Sequence, residues 1–79
     1  MHKDAQGNTY QTYQELTDAM LDLCKHPDAR GIAAGFGDQK VKELLEHCDD
    51  FYDDKVGAYN LAAAAADFDA FAAVEERME

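Results

Sequence analysis

Cys24 with His26, and His47 with Cys48, carry donor atoms that could build a zinc site. Structural zinc sites favour paired ligands two to four residues apart that converge on one ion, whereas adjacent helical residues such as His47 and Cys48 diverge by about 100°. The spacing therefore predicts no zinc site. The same divergence weakens a Cys–His nucleophilic pair, and no glycine-framed nucleophile elbow is present. Calcium is the next candidate, from Asp49, Asp50, Asp53 and Asp54 ahead of Gly57. An EF-hand loop needs oxygen ligands at its first, third and fifth places and glycine at the sixth. Starting at Asp49 puts Phe51 third and Asp54 sixth; starting at Asp50 puts Tyr52 third and Lys55 sixth. Neither register works, so such a cluster offers only weak, non-specific divalent binding. Gly31, Gly35 and Gly37 follow no strand and precede no Lys-Ser or Lys-Thr pair, which removes the phosphate-loop reading. No catalytic residue, cofactor or metal is expected, and the chain reads as a non-enzyme.

What remains is charge. Between Glu43 and Asp54 the chain places Glu43, Glu46, Asp49, Asp50, Asp53 and Asp54 with no basic residue among them. These six, with the neighbouring Tyr52, are the candidate partner-binding residues. They belong to a chain of 79 residues with 17 acidic and 7 basic side chains, a formal net charge of -10. Such a field repels nucleic acid and anionic membrane and attracts basic surfaces. Seven scattered basic residues cannot neutralise a phosphate track, so direct nucleic-acid binding is not expected. The plain reading of any charge run is a solvated helix face. Against it stand the absence of interspersed lysine and the scale of the charge on the whole chain. Tyr10, Tyr52 and Tyr59 flank the acidic stretch or the N-terminus; tyrosine covers the edges of small cores and also anchors interfaces.

The elements that must hold these residues are helical. Thr12, with Glu15 three residues on, has the form of a capping box opening a helix over 13–25. Tyr13, Leu16, Met20, Leu23 and Cys24 share its inward face, with Thr17 and Leu21 on the flank. Pro27 closes it. A short helical turn around Ile32, then a glycine-rich mobile linker, lead to Asp38, a plausible N-cap for a second helix over 39–54. Its apolar face is Val41, Leu44, Leu45, Cys48, Phe51 and Tyr52. On the opposite face Glu43, Glu46, Asp50 and Asp53 line up over about 15 Å. Gly57 breaks the pattern, and a third helix over 58–77, begun at Asn60 or Ala58, turns Leu61, Ala64, Ala65, Phe68, Phe71, Ala72 and Met78 inward. Asp67, Asp69, Glu75, Glu76 and Glu79 point largely elsewhere. The alanine run Ala62 to Ala66 joins high helix propensity to small bulk, which allows another helix to approach closely.

The N-terminal segment 1–11 is polar, and Gln6-Gly7-Asn8 is a turn signal between extended pieces at Lys3 to Ala5 and Thr9 to Gln11. The fold class expected is thus all-α in one domain: a small bundle of three main helices, room for a short extra helix, and an irregular or hairpin N-terminus. Domains of this size bury only about 60–65% of their unfolded surface, which leaves little room for a deep substrate cleft. No apolar run reaches the roughly 18 residues of a membrane span and no signal peptide opens the chain. A cytoplasmic protein with Cys24 and Cys48 reduced in its core is the consequence.

In size, acidity and helical pattern the chain resembles small phage-encoded inhibitors of bacterial defence, the anti-CRISPR proteins and anti-restriction DNA mimics. The resemblance covers overall character and no motif. It implies an acidic face, here Glu43 to Asp54, that occupies a basic nucleic-acid channel, and a setting in the cytoplasm of a bacterial host. It further implies that the partner is the DNA-binding channel of a CRISPR RNA-guided complex, blocked against target DNA. An alternative of another class is an antitoxin-like or regulatory helical module, a homodimer being one form of it, that associates through an apolar face including Tyr59, Phe68 and Phe71.

Overall fold

Thr12 performs the expected cap. Its Oγ1 accepts from the Glu15 N–H at 3.2 Å, while the Glu15 carboxylate reaches back to the Gln11 N–H at 3.0 Å. These two bonds satisfy amide groups that a helix start leaves open. They begin α1, Tyr13–Leu23, in a computed structural model that describes residues 1–77, with side chains through Glu75. Three more helices follow: α2 (Ala29–Ala34), α3 (Lys40–Asp49) and α4 (Leu61–Arg77). Four two-residue strands, β1 (His2–Lys3), β2 (Thr9–Tyr10), β3 (Tyr52–Asp53) and β4 (Ala58–Tyr59), form two antiparallel hairpins. The fold is therefore mostly helical, at 60%, but it is not the all-α bundle expected. The N-terminal hairpin is one of the two expected alternatives, with strands at His2–Lys3 and Thr9–Tyr10 in place of Lys3 to Ala5 and Thr9 to Gln11; the second hairpin was not expected.

The core lies where α1, α3 and α4 pack on one another, with α2 closing against α3 and α4. Leu16, Met20, Leu44, Cys48 and Phe68 are fully buried there. Ala64, Ala65 and Ala72 turn their small side chains to the same interior, so the alanine run does allow close helix approach. Asn60 caps α4 through a bond from the Ala63 N–H to its Oδ1 at 3.1 Å. Phe71 is half-buried and rests on Phe68 and Phe36, at ring-centroid distances of 5.6 and 6.0 Å. Met78, expected on this inward face, lies outside the described residues, as does Glu79.

Several expected boundaries move. The first helix ends at Leu23 rather than Lys25, because the Asp69 carboxylate of α4 accepts the amides of Lys25 and His26 at 2.8 and 3.1 Å. Asp69 thus faces a neighbouring element instead of pointing elsewhere. The inward face of α1 is centred on Leu16, Thr17, Met20 and Leu21, which leaves Tyr13 and Leu23 at 41% and 45% exposure. Gly37, at a φ of +62°, ends the expected linker and opens a 3-10 turn, Gly37–Gln39, where the N-cap and first residue of the second main helix were expected. Asp38 lies inside that turn and makes no cap; Gln39 precedes α3 without a side-chain cap bond. Among the described residues no helix is long and apolar enough to cross a membrane.

The largest correction concerns the second main helix. It was expected over 39–54, yet α3 stops at Asp49. Asp49, Asp50, Asp53 and Asp54 would all crowd the negative end of the helix dipole, where carboxylates are unfavourable. The last turn tightens instead, with Phe51 N–H donating to the Cys48 carbonyl at 3.0 Å. Asp53 Oδ1 then accepts from the Lys55 N–H at 2.9 Å and the Asp53 carbonyl from Gly57 N–H at 2.8 Å. Gly57, at a φ of +66°, supplies the left-handed residue that closes the turn. Tyr52 pairs with Tyr59 and Asp53 with Ala58 across the resulting hairpin. Asn60 N–H donates to the Phe51 carbonyl at 2.9 Å and fixes the hairpin between α3 and α4.

Candidate acidic site

The expected carboxylate row divides between two elements. Glu43, Glu46 and Asp49 belong to α3, Asp50 is its C-cap, Asp53 is on β3, and Asp54 opens the turn to β4. The straight ladder of about 15 Å along one helix face is thus broken at Phe51. Glu46, Asp49 and Asp50, three and four residues apart, still share one helical surface. Glu43 stands one turn earlier and is half-buried, while the other five are exposed. Asp53 leaves β3 on the face opposite Tyr52, because strand side chains alternate. Tyr52, expected on the apolar face of a helix, is 42% exposed on the hairpin.

None of these six carboxylates forms an ion pair among the described residues. The basic side chains that do pair choose other acids. Arg30 binds Asp22, Lys40 lies 3.9 Å from Asp18, and His47 Nδ1 meets Asp67 Oδ2 at 2.6 Å. Among the described residues neither Lys42 nor Lys55 forms an ion pair with the acidic end. Asp67, expected to point largely elsewhere than the inward face of the third helix, is held by His47, whose ring sits edge-on to Phe68 at 5.2 Å. That pair lies in the interface of α3 with α4 and is structural.

Sequence reasoning assigned no role to Asp4, and it is the most constrained carboxylate described. At 7% exposure it accepts from the N–H groups of Gln6 and Asn8, both at 2.9 Å, from Asn8 Nδ2 at 3.1 Å and from the Tyr10 hydroxyl at 2.8 Å. Burial pushes its pKa up, but the bonds from Tyr10, Asn8 and Gln6 together outweigh burial and hold it below the ordinary value. Asp-x-x-x-Asn around Gly7 was the available signal, since Asp side chains often bind amides two residues on. Asp4 locks β1–β2 to β4 through its bridge with Tyr59, and Ala5 N–H donates to the Tyr59 carbonyl at 2.8 Å.

The two cysteines are free. Cys48 is buried and Cys24 half-buried, its Sγ 3.6 Å from the Met20 carbonyl and 3.7 Å from that of Ala65. Burial, with Asp69 beside Cys24 and Asp49 beside Cys48, pushes both thiols up to about 12. A thiol so disposed is a poor nucleophile and a poor metal ligand at neutral pH. No group of three or more His, Cys, Asp or Glu side chains is placed to hold a metal among the described residues. Away from the acidic end, Asp28, Ile32, Phe36, Phe71 and Glu75 line an open groove of about 400 Å³ between α2 and α4. No known protein family, curated protein or solved structure matches the chain.

Proposed function

We propose that the protein is a non-enzymatic inhibitor that binds a basic protein surface through the acidic end formed by α3 and the β3–β4 hairpin. The observation that carries this reading is the exposure of Glu46, Asp49, Asp50, Asp53 and Asp54 with no internal ion pair among the described residues. Carboxylates left in this state are available to the lysines and arginines that otherwise hold phosphate. The basic surface intended is the DNA-binding channel of a CRISPR RNA-guided effector, which the protein blocks by mimicking DNA in the cytoplasm of a bacterial host. Because the carboxylates turn a corner at Phe51, the mimicry is of a compact group of phosphates rather than of a long straight track.

The alternative, association through an apolar face, loses two of its named anchors. Phe68 is fully buried and Tyr59 nearly so, both inside the chain's own core. No specific observation favours that reading.

The test is displacement of labelled target DNA from a purified CRISPR effector complex at low and moderate salt. The protein is expected to displace DNA at 50 mM salt and to lose most of that ability above about 300 mM, as electrostatic contacts are screened. The triple variant Glu46→Lys, Asp50→Lys, Asp53→Lys should retain its helical circular dichroism and lose inhibition. Inhibition undiminished by those three reversals would sink the proposal.

A further inference from the structure

The open groove between α2 and α4 exists because α2 offers few side chains to fill it. Asp28, Gly31, Ile32 and Gly35 recur at helical spacing along one face of α2, and Phe36 follows directly after them. Gly31 and Gly35 carry no Cβ, so much of this wall is bare backbone. A Cβ on Gly31 would meet Asp28 Oδ1 at 2.5 Å, which shows that the Asp28 side chain lies over the room left there. The apolar lining is Ile32, Phe36 and Phe71, each half-buried. Phe71 is held by the rings of Phe68 and His47, at 5.6 and 5.4 Å, and Phe36 rests on Phe71 at 6.0 Å. Asp28 and Glu75 complete the lining, and both are exposed. Among the described residues neither forms an ion pair, and no basic side chain lines the groove.

We infer that this groove docks a segment of a basic protein partner, seating a large apolar side chain on Ile32, Phe36 and Phe71 while neighbouring lysines or arginines meet Asp28 and Glu75. The site lies on other elements than α3 and the β3–β4 hairpin, so it goes beyond the acidic-end reading and does not rest on it. Three large apolar side chains that folding leaves half-buried lose further contact with water when such an anchor enters. Their rings are already packed, so binding orders little that is loose. The volume, about 400 Å³, has room for an anchor of this kind. Charge decides what accompanies the anchor. A neutral occupant would take water from the two carboxylates and give nothing back, whereas a cation offers each a charge-assisted hydrogen bond. A second copy of this chain is a poor occupant, since two molecules of net charge -10 repel.

The chain contains no tryptophan, so a tryptophan on a probe reports its own surroundings. The test titrates the capped peptide Lys-Lys-Trp-Leu-Lys-Lys with the full chain at 50 mM salt and follows tryptophan emission, which is expected to move to shorter wavelength and saturate. The equally charged Lys-Lys-Ser-Ser-Lys-Lys should bind roughly tenfold or more weakly as a competitor. Gly35→Leu fills the groove at a position of ordinary helical backbone, φ -64° and ψ -18°, and should abolish the shift with helical circular dichroism unchanged. Phe36→Ala, which removes lining instead of filling the space, should weaken the probe by a comparable factor. Neutralising both carboxylates, Asp28→Asn with Glu75→Gln, should weaken it roughly three- to tenfold. Glu46→Gln with Asp53→Asn should change it by no more than about twofold, since those groups act from a distance. Absence of the shift in the native chain, or a shift that survives both Gly35→Leu and Phe36→Ala, overturns the groove. If binding is lost only with Glu46→Gln and Asp53→Asn, the peptide sits at the acidic end, and this inference falls while that reading stands. Reversal of the shift by phenethylamine at the concentration at which unlabelled peptide reverses it would make the occupant a small amine and overturn the peptide partner. A dimer in sedimentation that Gly35→Leu dissociates would do so in favour of a second copy.

Discussion

At the scale of single residues the acids of this protein do opposite things according to where they sit. Asp4 and Asp69 are spent on amide groups of their own chain, whereas Asp49, Asp50 and Asp54 face water. Burial raises the pKa of Asp69, but the Lys25 and His26 amides more than offset it, so it too lies below the ordinary value. A carboxyl whose folded pKa is depressed contributes stability that is present above the unfolded value of about 4 and lost as pH falls through the folded one. Acid titration followed by circular dichroism should therefore show stability falling below about pH 4. Asp4→Ala should flatten that fall and lower stability at pH 7 by about 1–3 kcal/mol, because four donors lose their acceptor in a nearly buried site. For a domain of this size the loss corresponds to a drop in Tm of roughly 4–8 °C per kcal/mol. An unchanged Tm would mean that water replaces the carboxylate at no cost.

At the scale of elements, what could be read from the sequence depended on whether a segment's local signals agreed. Thr12 and Glu15, the 3.6-residue spacing of Leu16, Met20 and Cys24, and the alanine run of α4 all pointed one way, and those helices form. Between Gln39 and Tyr59 two signals competed. The apolar spacing Val41, Leu44, Leu45, Cys48, Phe51, Tyr52 extends a helix to Asp54, and following it hides the hairpin. The opposing evidence was present: an Asp able to bind the amide two residues on, Gly57 closing a turn, and tyrosines at both ends that pair across it. The candidate site was legible as a set of residues and not as a shape, since its identity follows from composition and its corner follows from where α3 stops. That stopping point gives a prediction. Asp50 at the C-cap opposes the helix dipole and repels Glu46 four residues earlier. Asp50→Lys reverses both effects, placing a cation at the negative end and a Glu–Lys pair at the favourable spacing. It should stabilise the fold by on the order of 0.5–1 kcal/mol, a rise in Tm of several degrees in differential scanning fluorimetry. A lower Tm would show that Asp50 makes a native interaction beyond its cap geometry.

At the scale of the whole molecule, the charge of -10 is confined to principal extents of 39 × 22 × 17 Å. Charges on opposite faces still repel one another at about 0.01 M salt, where the screening length is near 30 Å, and are largely screened above 0.1 M, where it is about 10 Å or less. The compact state therefore carries a self-repulsion that salt relieves, while the unfolded chain, with its charges farther apart, gains less. Thermal stability should rise between 0.01 and 0.5 M sodium chloride, with most of the gain below about 0.15 M. Attraction to a basic partner follows the same screening with the opposite sign, so affinity for a cationic peptide should fall over the same range. The two curves measured on one preparation separate an excess of unpaired carboxylates from an ordinary balanced surface, whose ion pairs would weaken in salt and whose Tm would stay level or fall. Neutralising Glu46 and Asp53 together should shrink both slopes, because the same side chains generate the repulsion within the fold and the attraction beyond it. If the Tm of the native chain stays level from 0.01 to 0.5 M salt, its negative charge is compensated in solution, and the acidic end has no surplus to offer a partner.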